Sequence, residues 1–96
     1  MDLILHPQAV KDARSIASKY EIVSKQLVTR FWHEMDSALE TIGAFPERHH
    51  FDPSGFRRSN LEKLPYHILF ETRLECIRIM VIRHHHRNPS YGLRRR

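Results

Sequence analysis

The chain has 96 residues, 41% of them hydrophobic and 28% charged, with sixteen Lys/Arg against eleven Asp/Glu for a net charge of +5. This is the composition of a globular domain with one core of modest stability, and no run approaches the roughly eighteen apolar residues that span a bilayer. The single Cys76 leaves no internal disulfide and reads as a small buried hydrophobe; with no signal peptide at the start, the expected setting is the cytoplasm, without membrane association.

Charge is placed unevenly. Residues 1–46 carry five Lys/Arg and six Asp/Glu, a net of −1, whereas residues 47–96 carry eleven and five, a net of +6, together with six of the eight histidines. The first half reads as scaffold and the second as the working face, suited to an anionic partner.

In chain order, residues 2–5 (Asp-Leu-Ile-Leu) form a short apolar strand before His6-Pro7, and Pro is favoured in the first turn of a helix. Val10, Ala13, Ala17 and Tyr20 recur at spacings of three and four, which predicts a helix over 7–20. Leu27, Val28, Phe31, Met35, Ala38, Leu39, Ile42 and Phe45 keep the same period over 24–45 until Pro46, with Trp32 off the stripe. The connection at 21–24 is short, so the two helices form an antiparallel hairpin. Residues 46–55 read as a loop, with Pro46, Pro53 and Gly55 among polar residues. Three strands follow, over 56–64, 66–72 and 76–84, and their short connections make them pair antiparallel. In the second, Tyr66, Ile68 and Phe70 alternate with His67, Leu69 and Glu71. The fold class is α+β, in the order β-α-α-β-β-β, one domain over 1–96 with both helices on one sheet face. The expected core is Phe31, Leu39, Ile42, Ile68, Phe70, Ile77, Ile79 and Val81.

The last strand runs into residues 84–96, His-His-His-Arg-Asn-Pro-Ser-Tyr-Gly-Leu-Arg-Arg-Arg, which are either a polyanion site or a solvated basic tail. Three consecutive histidines, with His49 and His50, raise the question of a metal. Successive strand side chains point to opposite faces, and no Cys or carboxylate pair accompanies them, so no metal or other cofactor is expected.

Several fragments, in order, resemble the RelE/ParE superfamily of bacterial toxins. They are His6-Pro7-Gln8-Ala9, then Ala38-Leu39-Glu40-Thr41-Ile42 with Phe45-Pro46, then Gly55-Phe56-Arg57-Arg58 and Pro65-Tyr66-His67-Ile68-Leu69-Phe70. The close, Val81-Ile82-Arg83-His84-His85-His86-Arg87-Asn88-Pro89, looks like the His-x-x-Arg-Asp-Pro ending of many ParE-like members. The resemblance covers essentially the whole chain. It implies the toxin of a type II toxin–antitoxin, plasmid-stabilisation module, with a cognate antitoxin encoded by an adjacent gene. The implied target is DNA gyrase, or the ribosome with its mRNA.

The two targets ask for different chemistry. A ribosome-dependent mRNA interferase needs a base at the 2′-hydroxyl, cations for the phosphate and an acid for the leaving oxygen. Against the RelE pattern, Arg58 and Asn60 fall where second-strand lysines would lie, and His67 replaces the third-strand Arg. Arg87 and Tyr91 match the C-terminal pair approximately. If the chain is a nuclease, the catalytic candidates are His67, His85, His86, Arg87 and Tyr91. Gyrase inhibition needs only a complementary surface, and the ParE-like ending favours it. Candidate target- or phosphate-binding residues are Arg57, Arg58, Lys63, Arg83, Arg87, Arg94 and Arg95, and an acidic antitoxin segment is expected to neutralise Arg57, Arg58, Arg83 and Arg87. A non-toxic basic nucleic-acid-binding relative is the remaining class.

Overall fold

In a computed structural model, which describes residues 1–96, the chain forms β1 (Asp2–Leu5), α1 (Pro7–Val23), α2 (Lys25–Ala44), a 3-10 turn (Pro46–Arg48), β2 (Arg57–Asn60), β3 (Tyr66–Thr72) and β4 (Cys76–His84). His6 caps α1, its Nδ1 accepting from Gln8 N at 3.0 Å, and Pro7 supplies the first helical residue. The hairpin is tighter than the sequence predicts, because α1 runs on to Val23 and Ser24 alone separates the helices. Ser24 is extended, with φ −169°, and serves both ends: its N–H reaches Tyr20 O while its Oγ accepts from Gln26 N and Leu27 N.

The sheet order is β1-β4-β3-β2. The last three strands pair antiparallel as expected, and β1 adds to β4 in parallel, Leu3 opposite Ile77 and Leu5 opposite Ile79. β2 is shorter than the sequence predicts. After Asn60 the chain turns inward, burying Leu61 and Leu64, and the backbone N–H groups of Lys63 and Leu64 donate to Glu34 Oε1 of α2. This turn ends the β2 ladder at Asn60 and leaves Lys63 exposed.

Both helices cover one sheet face. Ala9, Ala13, Ile16 and Ala17 of α1 and Phe31, Met35 and Ile42 of α2 meet Ile68, Phe70, Ile77, Ile79 and Ile82, with Leu39 half-buried beside them. Val81 departs from the expected core. Between Ile79, opposite Phe70, and Val81, opposite Leu69, Met80 is an extra residue: a β-bulge. The bulge shifts the alternation, so Ile82 replaces Val81 on the helix side. Val81 joins Leu69 and Met80 on the opposite face.

That face is not open. Residues 88–96 fold back over it, and Tyr91, Leu93 and Phe56 cover Leu69, Met80 and Val81. The return depends on Gly92, at φ +80°, where a Cβ would lie 2.7 Å from Val81 Cγ2. Gly92→Ala is therefore expected to destabilise the protein by about 1–2 kcal/mol through backbone strain and the clash. A lowered urea midpoint, with faster tryptic cleavage at Arg94–Arg96, checks it; an unchanged midpoint would refute the close approach.

Candidate functional site

The site is built on the outer sheet face, where β2, β3 and β4 carry Arg58, His67 and Arg83 side by side and the chain beyond β4 adds His85. His67 lies opposite Asn60 on one side and Arg83 on the other. Asp52, in an Asp-Pro-Ser-Gly turn, supplies the counter-charge. Its Oδ2 accepts from Ser54 N at 2.9 Å and its C=O from Gly55 N, and Gly55 sits at φ +94°. Arg58 Nη1 lies 3.3 Å from Asp52 Oδ1, and Arg83 Nη2 lies 3.8 Å from Oδ2. Burial works against ionisation of Asp52, but Ser54, Arg58 and Arg83 outweigh it and hold its carboxyl below the usual range.

The imidazoles form one hydrogen-bonded line. Arg83 Nε donates to His67 Nε2 at 3.0 Å, His67 Nδ1 meets His85 Nδ1 at 3.0 Å, and Arg58 Nη2 reaches the same His85 nitrogen at 3.2 Å. A guanidinium has no acceptor, so both arginines must donate. His67 Nε2 is then bare and its proton sits on Nδ1, which donates to His85; His85 carries its proton on Nε2. Burial first, then the nearby cations Arg58 and Arg83, push His67 down to about 4, and burial with Arg58 lowers His85 also. Both rings are neutral near pH 7. Each bare nitrogen is already occupied by a donor, so neither imidazole offers a lone pair to a substrate. What the cluster presents is donors: the His85 Nε2–H and the Arg58 and Arg87 guanidiniums beside a cleft of about 420 Å³, also lined by Ser54, Ser90 and Leu93.

The remaining candidate residues divide by their partners. Arg83 is 6% exposed and spends Nη1 on Pro89 O and Tyr91 O, so it braces the C-terminal segment rather than facing solvent. Arg95 does the same from the tail: its Nη1 and Nη2 bind Asp12 of α1 at 2.6 and 3.0 Å, and Nη1 also reaches Met80 O. Tyr91 donates its hydroxyl to Asp12 Oδ1 at 2.6 Å, a bond that, with burial, raises the phenol pKa and fixes it protonated. Arg57 ties the 45–50 loop to β2 through Glu47 O and His49 O and lies over the Phe51 ring. His86, Lys63, Arg87 and Arg94 are exposed, with Arg87 stacked 4.1 Å above Tyr91. Tail residues 88–96 are thus an ordered cover. No three His, Cys, Asp or Glu side chains are arranged to hold a metal ion.

Two acids that organise this face, Asp12 and Asp52, were not among the candidates from sequence. Asp12 did leave a signal, since it interrupts the apolar stripe Ala9, Ala13, Ile16 of α1, where an unpaired carboxylate would be costly. Asp52 left only a turn signature. Cys76 is half-buried at the start of β4, and Trp32 is 38% exposed, edge-on to Phe31.

A helical hairpin on a β1-β4-β3-β2 sheet, with a basic, donor-rich outer face, defines the architecture of a small toxin of the RelE/ParE class. The model of the family described as the ParE toxin of the type II toxin–antitoxin system parDE matches residues 3–89. The chain belongs to the ParE toxin family. Among solved structures it is similar to a chain of the chromosomal ParDE toxin–antitoxin system from P. aeruginosa. The TM-score is 0.76 and the identity 19%, over 88% of this chain and 95% of that one, which establishes likeness of fold. No curated protein matches it. No helix is long and apolar enough to cross a membrane.

Proposed function

We propose that this chain is the growth-arresting toxin of a ParDE-type module, that it acts by binding DNA gyrase, and that a cognate antitoxin encoded beside it neutralises it. The observation that carries the non-nuclease reading is the donor line Arg83–His67–His85–Arg58, in which neither His67 nor His85 keeps a lone pair free to deprotonate a 2′-hydroxyl; of the candidate bases only His86, exposed and outside the line, is unoccupied. Tyr91, the C-terminal residue of the nuclease pattern, is engaged with Asp12. Family membership and the ParE-like ending support the gyrase target. The exposed cations Arg87, Arg94 and Lys63 are the groups free to meet it, with Arg58 at the rim.

The deciding experiment sets supercoiling by purified gyrase against translating ribosomes with a defined mRNA. Supercoiling is expected to fall with no mRNA cut. Arg87→Ala and Arg94→Ala are expected to weaken inhibition in graded steps of about threefold to tenfold each, as lost contact energy does, whereas loss of a general base would remove activity about a hundredfold or more. Cleavage within the ribosomal A site, abolished by His67→Gln, His85→Gln or His86→Gln, would overturn the reading.

A further inference from the structure

Three aromatic side chains of this chain are exposed: Trp32, Phe45 and Phe51. Trp32 packs edge-on to Phe31, but Phe45 and Phe51 belong to neither hydrophobic cluster, so core packing accounts for neither. They are 45% and 66% exposed, and each lies against a guanidinium. Arg48 Cζ stands 4.0 Å from the Phe45 centroid and Arg57 Cζ 4.2 Å from that of Phe51. The one other ring so covered, Tyr91, is half-buried and committed to Asp12. Both Phe–Arg pairs stand at the β2 edge of the sheet, where Phe45 ends α2 and Phe51 bridges to Arg57. The loop that carries them is held in place: Phe45 N–H reaches Thr41 O, Arg48 N–H reaches Phe45 O and Arg58 N–H reaches His50 O. Arg57 ties it through Nη1 alone, which leaves Nε and Nη2 unspent, and Arg48 spends none of its donors. Neither arginine is in an ion pair, and the one carboxylate between 45 and 51 is Glu47. Cations without ion pairs are common on this chain. Only here do they coincide with exposed rings.

We propose that the loop of residues 45–51, with Arg57, binds single-stranded nucleic acid: bases stack on Phe45 and Phe51, and Arg48 and Arg57 take the flanking phosphates. The proposal stands apart from the gyrase and antitoxin readings. Neither ring lines any of the five main clefts of the molecule, so there is no hollow for a peptide side chain to fill. A flat ring beside a cation suits a flat base beside its phosphate. The ligand is a single strand because the bases of a duplex are already stacked on one another. A phenyl ring forms no hydrogen bond, so the site reads neither base identity nor the 2′-hydroxyl, and DNA and RNA both fit.

The test measures, by fluorescence anisotropy at low salt, binding of labelled oligothymidine and oligouridine strands of about twenty nucleotides to the whole chain. Wild type is expected to bind both strands, less tightly as salt rises. Phe45→Leu and Phe51→Leu are each expected to weaken binding about tenfold with the salt slope kept, and Arg48→Gln to weaken it and flatten the slope. Two controls are expected to bind within about twofold of wild type: Trp32→Leu, an exposed ring without a cation, and Lys25→Gln, a cation without a ring. Lys25 lies about 28 Å from the Phe45 end of α2. Circular dichroism and the urea midpoint verify that each variant is folded. Should a loop variant unfold, ultraviolet crosslinking of a bromouracil-substituted strand to wild type locates the contact, and crosslinks only outside 45–57 would overturn the site. Either strand bound alone, and lost in the Phe variants, supports the loop site and names the source. The proposal is overturned if wild type binds neither strand, if the Phe variants bind as wild type, or if the controls fall as far as the loop variants. A duplex of equal length that competes as well as the single strand overturns base stacking. Phe variants that keep oligonucleotide binding but inhibit gyrase less would assign the rings to a protein contact instead. Failure of oligonucleotide binding alone leaves the proposed function standing, since neither gyrase nor antitoxin enters that measurement.

Discussion

Asp12→Ala is expected to destabilise the protein by about 3–5 kcal/mol, the range for removing one member of a buried ion pair. The carboxylate side chain is 4% exposed and receives Arg95 Nη1 and Nη2, the Tyr91 hydroxyl and the N–H of Ile82. Ile82 lies on β4 past the end of β1, where no strand is present to accept its hydrogen bond, so Asp12 acts as a substitute strand at that edge. Without it, three groups lose their acceptor together, and the tail can rescue Arg95 and Tyr91 only by lifting off Met80 and Val81. Urea unfolding measures the loss, and the Asp12→Ala/Arg95→Ala cycle measures the coupling, which should exceed about 1 kcal/mol for residues sharing a network. Asp12→Asn keeps the shape and one acceptor and should cost less. A midpoint unchanged in Asp12→Ala would mean that the tail is not held as described.

The same residue shows what the sequence can and cannot carry. Periodicity placed the helices, because Phe31, Met35 and Ile42 recur at helical spacing over a stripe long enough to average out exceptions. Alternation placed β3 correctly, since Tyr66, Ile68 and Phe70 differ in polarity from His67 and Glu71. It failed for the end of β4, where Ile79-Met80-Val81-Ile82 is apolar throughout. A two-residue period has no phase in such a run, so nothing marked Met80 as the bulge that sends Val81 to the outer face.

The working face was legible as a composition but not as a geometry. Charge counting gave a +6 half, yet Arg83 and Arg95 within it are structural cations bound to Asp52 and Asp12. Pairing between groups 31 and 83 positions apart leaves no trace in local pattern. Lys11 and Lys19, from the half with net charge −1, by contrast take part in no ion pair. Net charge per segment therefore located the basic character of the chain, while the pairing of individual carboxylates decides which cations a partner meets.

His67 makes the stability of this fold sensitive to mild acid. The residue is 1% exposed and wedged between Arg58 and Arg83, and its pKa falls from 6.5 to about 4. A histidine depressed in the folded state is protonated first in the unfolded chain. Stability is therefore complete above about pH 6.5 and is lost as the pH falls toward 4, because the unfolded state binds the additional proton. By linkage the loss is about 2 kcal/mol between pH 7.5 and 5 and on the order of 3 kcal/mol once pH 4 is passed. Protonation would also force His67 to give up one of its two bonds, since an imidazolium has no acceptor for Arg83 Nε. His85, lowered in the same direction by burial and Arg58, adds to the effect, while Asp52, held below its usual range, contributes only at lower pH. Urea midpoints at pH 7.5, 6 and 5 measure the slope. His67→Gln, which cannot titrate, is expected to be less stable at pH 7.5 but to lose most of the pH dependence. If wild type and His67→Gln fall in parallel, the neutral Arg83–His67–His85–Arg58 line is not the arrangement in solution, and His67 and His85 are free to act as bases.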